Sequence, residues 1–182
     1  MNRTHAAFLA LSFVACTALA AETTLLLPVP NARIPIAGVL SGGQPTPDQI
    51  AAAGAAGYKT VINLRPDAEK GFEWEAAAVK AASMTYVSIP VAGATGLTKD
   101  NVIRLDAALK AAVANGPVLL HCASGNRTGA MLALRAAWVE GKDPAAALAY
   151  GEASGLTHLE PTVKQLLGLP EAAVTPVAPS PK

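Results

Sequence analysis

The chain has 182 residues, with 14 basic and 13 acidic side chains and a formal charge of +1. So small a net charge gives no electrostatic footprint for nucleic acid or for an anionic membrane surface. The hydrophobic share of 52% is swollen by alanine, and aromatics make up only 4%, a mixture that points to helices packed through small side chains.

The first twenty residues read as a processing segment. Asn2-Arg3-Thr4-His5 is a short basic start, Ala6 to Ala15 an apolar stretch, and Ala18-Leu19-Ala20 an A-x-A cleavage pattern. Together they predict a signal peptide cut after Ala20, and a periplasmic or secreted protein. The apolar stretch is too short to span a membrane, and no later stretch is long enough. An alternative makes Phe13-Val14-Ala15-Cys16 a lipoprotein site with Cys16 lipidated, although Phe13 is a poor residue there. Cleavage after Ala20 removes one charge, that of Arg3, and one of the two cysteines. The remaining chain is long enough for one domain with its own core. Its single cysteine, Cys122, cannot form an internal disulfide in a compartment that favours them. A lone thiol there is either buried and inert or kept for its chemistry.

Residues 21–37 are Pro-rich and read as irregular, with Leu25-Leu26-Leu27 as a possible edge strand. Val39-Leu40-Ser41 is a short strand ending in the turn Gly42-Gly43-Gln44-Pro45. Thr46-Pro47-Asp48-Gln49 is a capping box with proline at the first helical position, opening a helix that stops at Gly57. Lys59 to Leu64 is a buried strand, and Arg65-Pro66-Asp67 ends it in a loop. Phe72 to Ser83 reads as a helix, and Tyr86 to Ile89 as a strand stopped by Pro90. After the loop Val91 to Leu97, Thr98 caps a helix to Ala114 whose Val102, Leu105, Leu109 and Val113 keep helical spacing. Asp100 suits the dipole at its start. Gly116-Pro117 breaks the chain before the strand Val118 to His121. A loop then turns into a helix reaching Glu140, another helix starts at Asp143-Pro144, and Thr157 with Glu160 caps a last one to Leu167. The domain is expected over residues 38–168, with 169–182 a disordered Pro/Ala-rich tail. Strands alternating with helices predict an α/β three-layer sandwich, a short and largely parallel sheet flanked by helices.

The chemistry concentrates in "HCASGNRTG", residues 121–129. A loop from a strand into a helix sits at the strand's carboxyl end, where open α/β sheets bind ligands. Amides without helical partners, aided by the helix dipole, make an anion site of Ala123, Ser124, Gly125, Asn126 and Arg127. Gly125 permits backbone angles that other residues resist, and Arg127 adds a permanently charged fork. The same field favours a thiolate at Cys122. Thr128 could reach back to that sulfur or simply cap the helix. His121 reads as an orienting group rather than a base. A zinc site from His121, Cys122 and His158 lacks a fourth ligand at suitable spacing, so no metal or cofactor is expected.

The stretch "VLLHCASGNRTGA" resembles the signature of cysteine-dependent phosphatases. With "SGGQPTPDQIAAAGAAGYKTVINLRPDAE" and "YVSIPVAGATGL", residues 38–168 resemble the dual-specificity-phosphatase-like domain named after beta-lactamase-hydrolase-like proteins. The resemblance implies a protein tyrosine phosphatase-like sandwich, a metal-free cysteinyl-phosphate intermediate, Cys122 as nucleophile and Arg127 as phosphate clamp. Two departures stand out. Phosphatases of this superfamily place five residues between Cys and Arg, whereas Ala123 to Asn126 make four. That is the rhodanese spacing, and the subfamily shares it. Nor does the loop Val91 to Gly96 carry the usual acid, which leaves Asp67 or Glu69 to protonate a leaving group, a service worth roughly 10²–10⁴ in rate. Three readings follow: an exported phosphatase-like hydrolase, a persulfide sulfurtransferase using the same cysteine, and a non-catalytic module binding an anion or a partner. The ligand would be a phosphorylated or sulfane-sulfur small molecule or protein.

Overall fold

A computed structural model describes residues 27–170. The expected signal peptide, Cys16, Leu25, Leu26 and the tail beyond Pro170 lie outside the described residues. Five strands form one sheet: β1 (Arg33–Ile36), β2 (Val39–Gly42), β3 (Thr60–Asn63), β4 (Thr85–Ser88) and β5 (Val118–His121). Their order is β1-β2-β5-β3-β4, with β1 antiparallel to β2 and every other pair parallel. Six helices surround the sheet: α1 (Pro47–Ala55), α2 (Glu75–Ala81), α3 (Lys99–Val113), α4 (Asn126–Trp138), α5 (Pro144–Ala153) and α6 (Glu160–Leu166). This is the expected α/β sandwich.

Strand side chains alternate between two cores, as the pleat requires. Val39, Ile62, Val118 and Leu120 face one side, where Val102, Leu105 and Leu109 of α3 and Met131 and Leu134 of α4 complete the packing. Leu40, Val61 and Leu119 face the other, against Ile50 and Ala53 of α1 and Val79 of α2. Burial on both faces explains why the parallel strands read as unbroken apolar runs. Each fully buried Leu or Ile contributes roughly 1.5–3 kcal/mol relative to exposure.

Register brings the carboxyl ends of the parallel strands to one level. Gly42 and Asn63 both align with His121, and Asn63 aligns with Ser88. The loops after β2, β5, β3 and β4 therefore open at the same edge, which is where this architecture places ligands.

Several boundaries differ from expectation. Strand β1 lies inside residues 21–37, expected to be irregular; it is an edge strand with irregular register, a position that tolerates Pro35. Leu27 is buried but belongs to no strand. Helix α2 begins at Glu75 rather than Phe72, behind Trp74, which offers no side-chain cap. The α1 capping box forms as expected, with both reciprocal bonds present, and Thr98 caps α3. Thr157 does not cap α6, whose cap position is Leu159; the Thr157 amide instead donates to Asn126 Oδ1 at 2.8 Å. Val113 is 37% exposed, while Asp106, on the same helix, is buried.

Candidate active site

Cys122 follows β5 directly and is fully buried. The backbone N–H of Gly125 donates to its Sγ at 3.1 Å. That contact needs the left-handed turn at Gly125 (φ 94°), from which α4 starts. The loop carbonyls are each accounted for. The oxygen of Cys122 faces His121 Nδ1 at 3.3 Å, that of Ala123 accepts from the Gln44 amide at 3.1 Å, and that of Ser124 accepts from Asn31 Nδ2 at 2.9 Å. The Gly125 oxygen accepts from the Gly129 amide at 3.0 Å and from Thr128 Oγ1. In a trans peptide the next N–H points opposite to the carbonyl. The amides of Ala123, Ser124, Gly125 and Asn126 therefore turn away from those partners, and that of Gly125 reaches the sulfur. The loop wraps the thiol with its carbonyls bonded elsewhere and one amide, that of Gly125, on the sulfur.

Thr128 gives its one proton to the Gly125 carbonyl, so it holds the loop rather than the sulfur. Asn126 accepts from the Thr157 and Leu159 amides through Oδ1, at 2.8 and 3.3 Å, and so ties the cradle to the start of α6. His158 is exposed. Among the described residues, no three His, Cys, Asp or Glu side chains gather as metal ligands would.

Arg127, on the first turn of α4, is 9% exposed. Its Nη1 donates to the Val91 carbonyl at 3.1 Å and contacts Glu69 Oε1 at 2.7 Å, while Nη2 reaches Glu69 Oε2 at 3.0 Å. Arg65 meets the same Oε2 through Nε at 2.9 Å. Arg65 is itself fixed, with Nη1 on Gln44 Oε1 at 2.7 Å, Nη2 on the Lys70 carbonyl at 2.8 Å, and its guanidinium 4.4 Å from the Phe72 ring. Two forks thus converge on one carboxylate. Burial pushes the Glu69 pKa up, but hydrogen bonds and charge from Arg127 and Arg65 outweigh it and hold the carboxyl below its ordinary value.

Asp67 is exposed, on the wall of a cleft of about 480 Å³ that it shares with Glu69, Lys70, Phe72, Glu73, Ala76, Tyr86 and Ser88. Through Glu69 the cleft abuts Arg127. Behind it sits Glu75, wholly buried, with Oε1 accepting from Gln44 Nε2 at 2.8 Å and Oε2 from Asn63 Nδ2 at 2.6 Å. Tyr86 Oη lies 3.4 Å from Oε2. Burial raises the Tyr86 pKa, the bond from Asn63 lowers it, and the Glu75 charge adds to the rise, so the phenol keeps its proton. Glu75 Oε1 also stands 3.0 Å from His121 Nε2, a contact whose distance, though not its angle, is that of a hydrogen bond. Sequence reading missed Glu75, Arg65 and Gln44. The available signal was the polar Asn63 closing an apolar strand, which needs a buried partner.

A strand-loop-helix cysteine cradle at the carboxyl edge of this sheet defines a phosphatase-like domain. Residues 37–139 match the family described as beta-lactamase hydrolase-like protein, phosphatase-like domain, and the chain belongs to that family. A beta-lactamase hydrolase-like protein of Xylella fastidiosa (strain Temecula1) is 38% identical over 96 residues, which are 50% of this chain but 22% of the relative. The chain therefore spans about a fifth of that relative's length. A DUF442 protein from Shewanella putrefaciens CN-32, assigned as a phosphatase, superposes with a TM-score of 0.61 at 26% identity, over 78% of this chain and 91% of that one. TpbA of P. aeruginosa, a cysteine-to-serine variant bound to phosphotyrosine, shares the fold at 22% identity and a TM-score of 0.50, over 71% and 85% of the two chains.

Proposed function

We propose that this protein is an exported, cysteine-dependent phosphatase acting through a cysteinyl-phosphate intermediate. The observation that supports it most is the Gly125 N–H on Cys122 Sγ at 3.1 Å, inside a loop whose carbonyls all bond outward. A cradle of amides around a nucleophilic sulfur suits a group that arrives with anionic oxygens.

In the first step the Cys122 thiolate attacks phosphorus, the S–P bond forms, the bond to the leaving oxygen breaks, and that oxygen takes a proton. The loop amides and Arg127 hold the remaining oxygens. Water then attacks phosphorus, the S–P bond breaks, and thiolate and inorganic phosphate separate. Asp67 fits the proton donor better than Glu69, since Glu69 is held ionised by two guanidiniums. The cleft beside Glu69, with Phe72 and Tyr86 in its wall, receives the leaving group, and an aromatic phosphate such as phosphotyrosine fits that lining. Export rests on the leader, and an intact mass beginning at Ala21 checks it.

One observation favours a second reading. Four residues between Cys122 and Arg127, with no acid in residues 91–97, suit sulfur transfer from a persulfide, whose leaving group needs little protonation. A paired assay decides. The protein is given an aryl phosphate and, separately, thiosulfate with cyanide, each also as Cys122→Ser. Phosphate release abolished by the serine change supports the first reading. Thiocyanate formation without phosphate release replaces it with the second. If neither product forms while phosphate still raises the melting temperature, the cradle only binds an anion.

A further inference from the structure

The peptide between Ser124 and Gly125 is held at both ends. Its N–H reaches Cys122 Sγ at 3.1 Å, and its carbonyl accepts from Asn31 Nδ2 at 2.9 Å. In a trans peptide these two groups point in opposite directions, so a partner on one fixes the aim of the other. The loop does not select that aim unaided. Gly125 stands at φ 94°, and glycine accepts either sign of φ. A turn of this one peptide plane would put the Ser124 carbonyl where the N–H is, with its negative end toward the sulfur and any anion beside it. A carbonyl can only accept, so the nitrogen end of the Asn31 amide is the end that faces it.

Asn31 is built into this position. Its φ is 53°, in the left-handed region that asparagine tolerates better than most residues. The segment before it is anchored. Leu27 and Val29 are buried in the core that contains Ile50 and Ala53 of α1. The Pro28 carbonyl accepts from Gln49 Nε2 at 2.8 Å, and the Pro30 carbonyl from the Gly43 N–H at 2.7 Å. Gly42 and Gly43 leave room for the close approach. A Cβ on Gly42 would come within 2.7 Å of Val29 Cγ2, and one on Gly43 within 2.9 Å of the Ala123 oxygen and 3.0 Å of Pro30 Cβ. Gly43 and Ser124 pair as an isolated antiparallel bridge. Residues 27–31 are thus fixed beside the turn after β2, and that turn is fixed against the Cys122 loop.

We propose that Asn31 is a positioning residue for the reaction at Cys122. Its side-chain amide keeps the Ser124–Gly125 peptide turned so that the N–H, and not the carbonyl, faces the sulfur and the phosphoryl oxygens brought to it. Asn31 precedes residues 37–139, the span that matches the family, so the site reaches outside that span. This inference rests on the reading of Cys122 as the nucleophile of a phosphatase, but part of its test needs no turnover.

Two variants of the full chain test it. Asn31→Asp keeps the side chain's size and its tolerance of positive φ but has no N–H to give, and Asn31→Gly keeps the backbone angle without a side chain. Asn31 is exposed, so both are expected to fold and to melt within a few degrees of the wild type. In protein labelled with ¹⁵N-glycine, with Gly125→Ala to identify the signal, hydrogen exchange at the Gly125 amide should quicken in both while the other glycine amides change little. Inorganic phosphate should inhibit aryl phosphate release about three- to tenfold less tightly, the worth of one hydrogen bond. A residue that merely supports the fold would lower the melting temperature and leave the Gly125 signal and the inhibition constant unmoved. Unchanged Gly125 exchange in the folded variants, or loss of the fold in both, overturns the proposal. Wild-type protein that releases no phosphate, with a Gly125 amide that still responds to Asn31, removes the phosphatase reading and leaves the orienting role standing. Phosphate release with an unresponsive Gly125 does the reverse.

Discussion

Arg127 meets Glu69 through both terminal nitrogens, and Arg65 takes a second share of the same oxygen. An incoming phosphoryl group would compete with this carboxylate for Arg127. Glu69→Gln removes the competing charge, and inorganic phosphate is expected to inhibit the variant about two- to fivefold more tightly, as one charge-assisted bond would dictate. Aryl phosphate release should not collapse. Asp67→Asn should lower release by about 10²-fold with poor leaving groups and much less with good ones, the mark of a general acid. Steady-state rates across a leaving-group series separate the two residues, and a collapse confined to Glu69→Gln would reverse their roles. The sequence showed Asp67 and Glu69 as neighbours in one polar loop. It could not show which was already claimed, because Arg127 lies 58 positions away from Glu69.

At the scale of elements, α4 carries both Arg127 and the end of the cradle, so its seating decides the site. Gly129 lets α4 approach the chain after α5. A Cβ there would lie 2.1 Å from the Leu156 nitrogen and 2.8 Å from the Gly151 oxygen, both backbone atoms that cannot swing aside. Gly129→Ala is therefore expected to cost about 3 kcal/mol, at the upper end for overpacking, and to lower the thermal midpoint and cradle reactivity together. Gly125→Ala meets no such wall, its nearest atom being 3.6 Å away, but its φ of 94° makes the change a backbone strain of about 1–2 kcal/mol. Thermal melts and thiol labelling of both variants test the contrast. The regular elements were legible where local signals sufficed: the Thr46 capping box, the Thr98 cap and the apolar runs of β3 and β5 all read true. Strand β1 was not, since its "RIPI" sequence holds a proline and pairs only along an edge. The Thr157 signal failed because a long-range acceptor, Asn126 Oδ1, took its amide.

Across the whole molecule, two carboxylates paired with guanidiniums, Asp106 and Glu69, make stability fall toward acid. Asp106 of α3 accepts from Arg135 Nε of α4 at 2.9 Å and meets Lys110 at 2.7 Å. Burial raises its pKa, yet the bonds from Lys110 and Arg135 outweigh that and set it below its ordinary value. A carboxylate lowered in the folded state stabilises fully above its unfolded range, and that contribution disappears as pH falls through the lower folded value. Glu69 acts with the same sign. Asp106→Asn is expected to destabilise by about 1–2 kcal/mol at neutral pH, since Arg135 loses the Asp106 charge but keeps its pair with Glu140. It should also flatten the acid limb of the stability curve. Denaturant melts from pH 3 to 7 report both effects.

The cradle's outer stitches run to Asn31 and Gln44, the first of them 93 positions upstream. The loop sequence by itself holds a plain cysteine. Its sulfur becomes a special atom only when the start of the domain lies against the loop, after β5 has found its place between β2 and β3. A nascent or locally opened chain lacks those contacts, so the surroundings of the sulfur belong to the assembled fold rather than to the motif alone. The speed at which Cys122 meets an alkylating probe is thus a clock for folding, readable in a pulse-labelling experiment without any substrate.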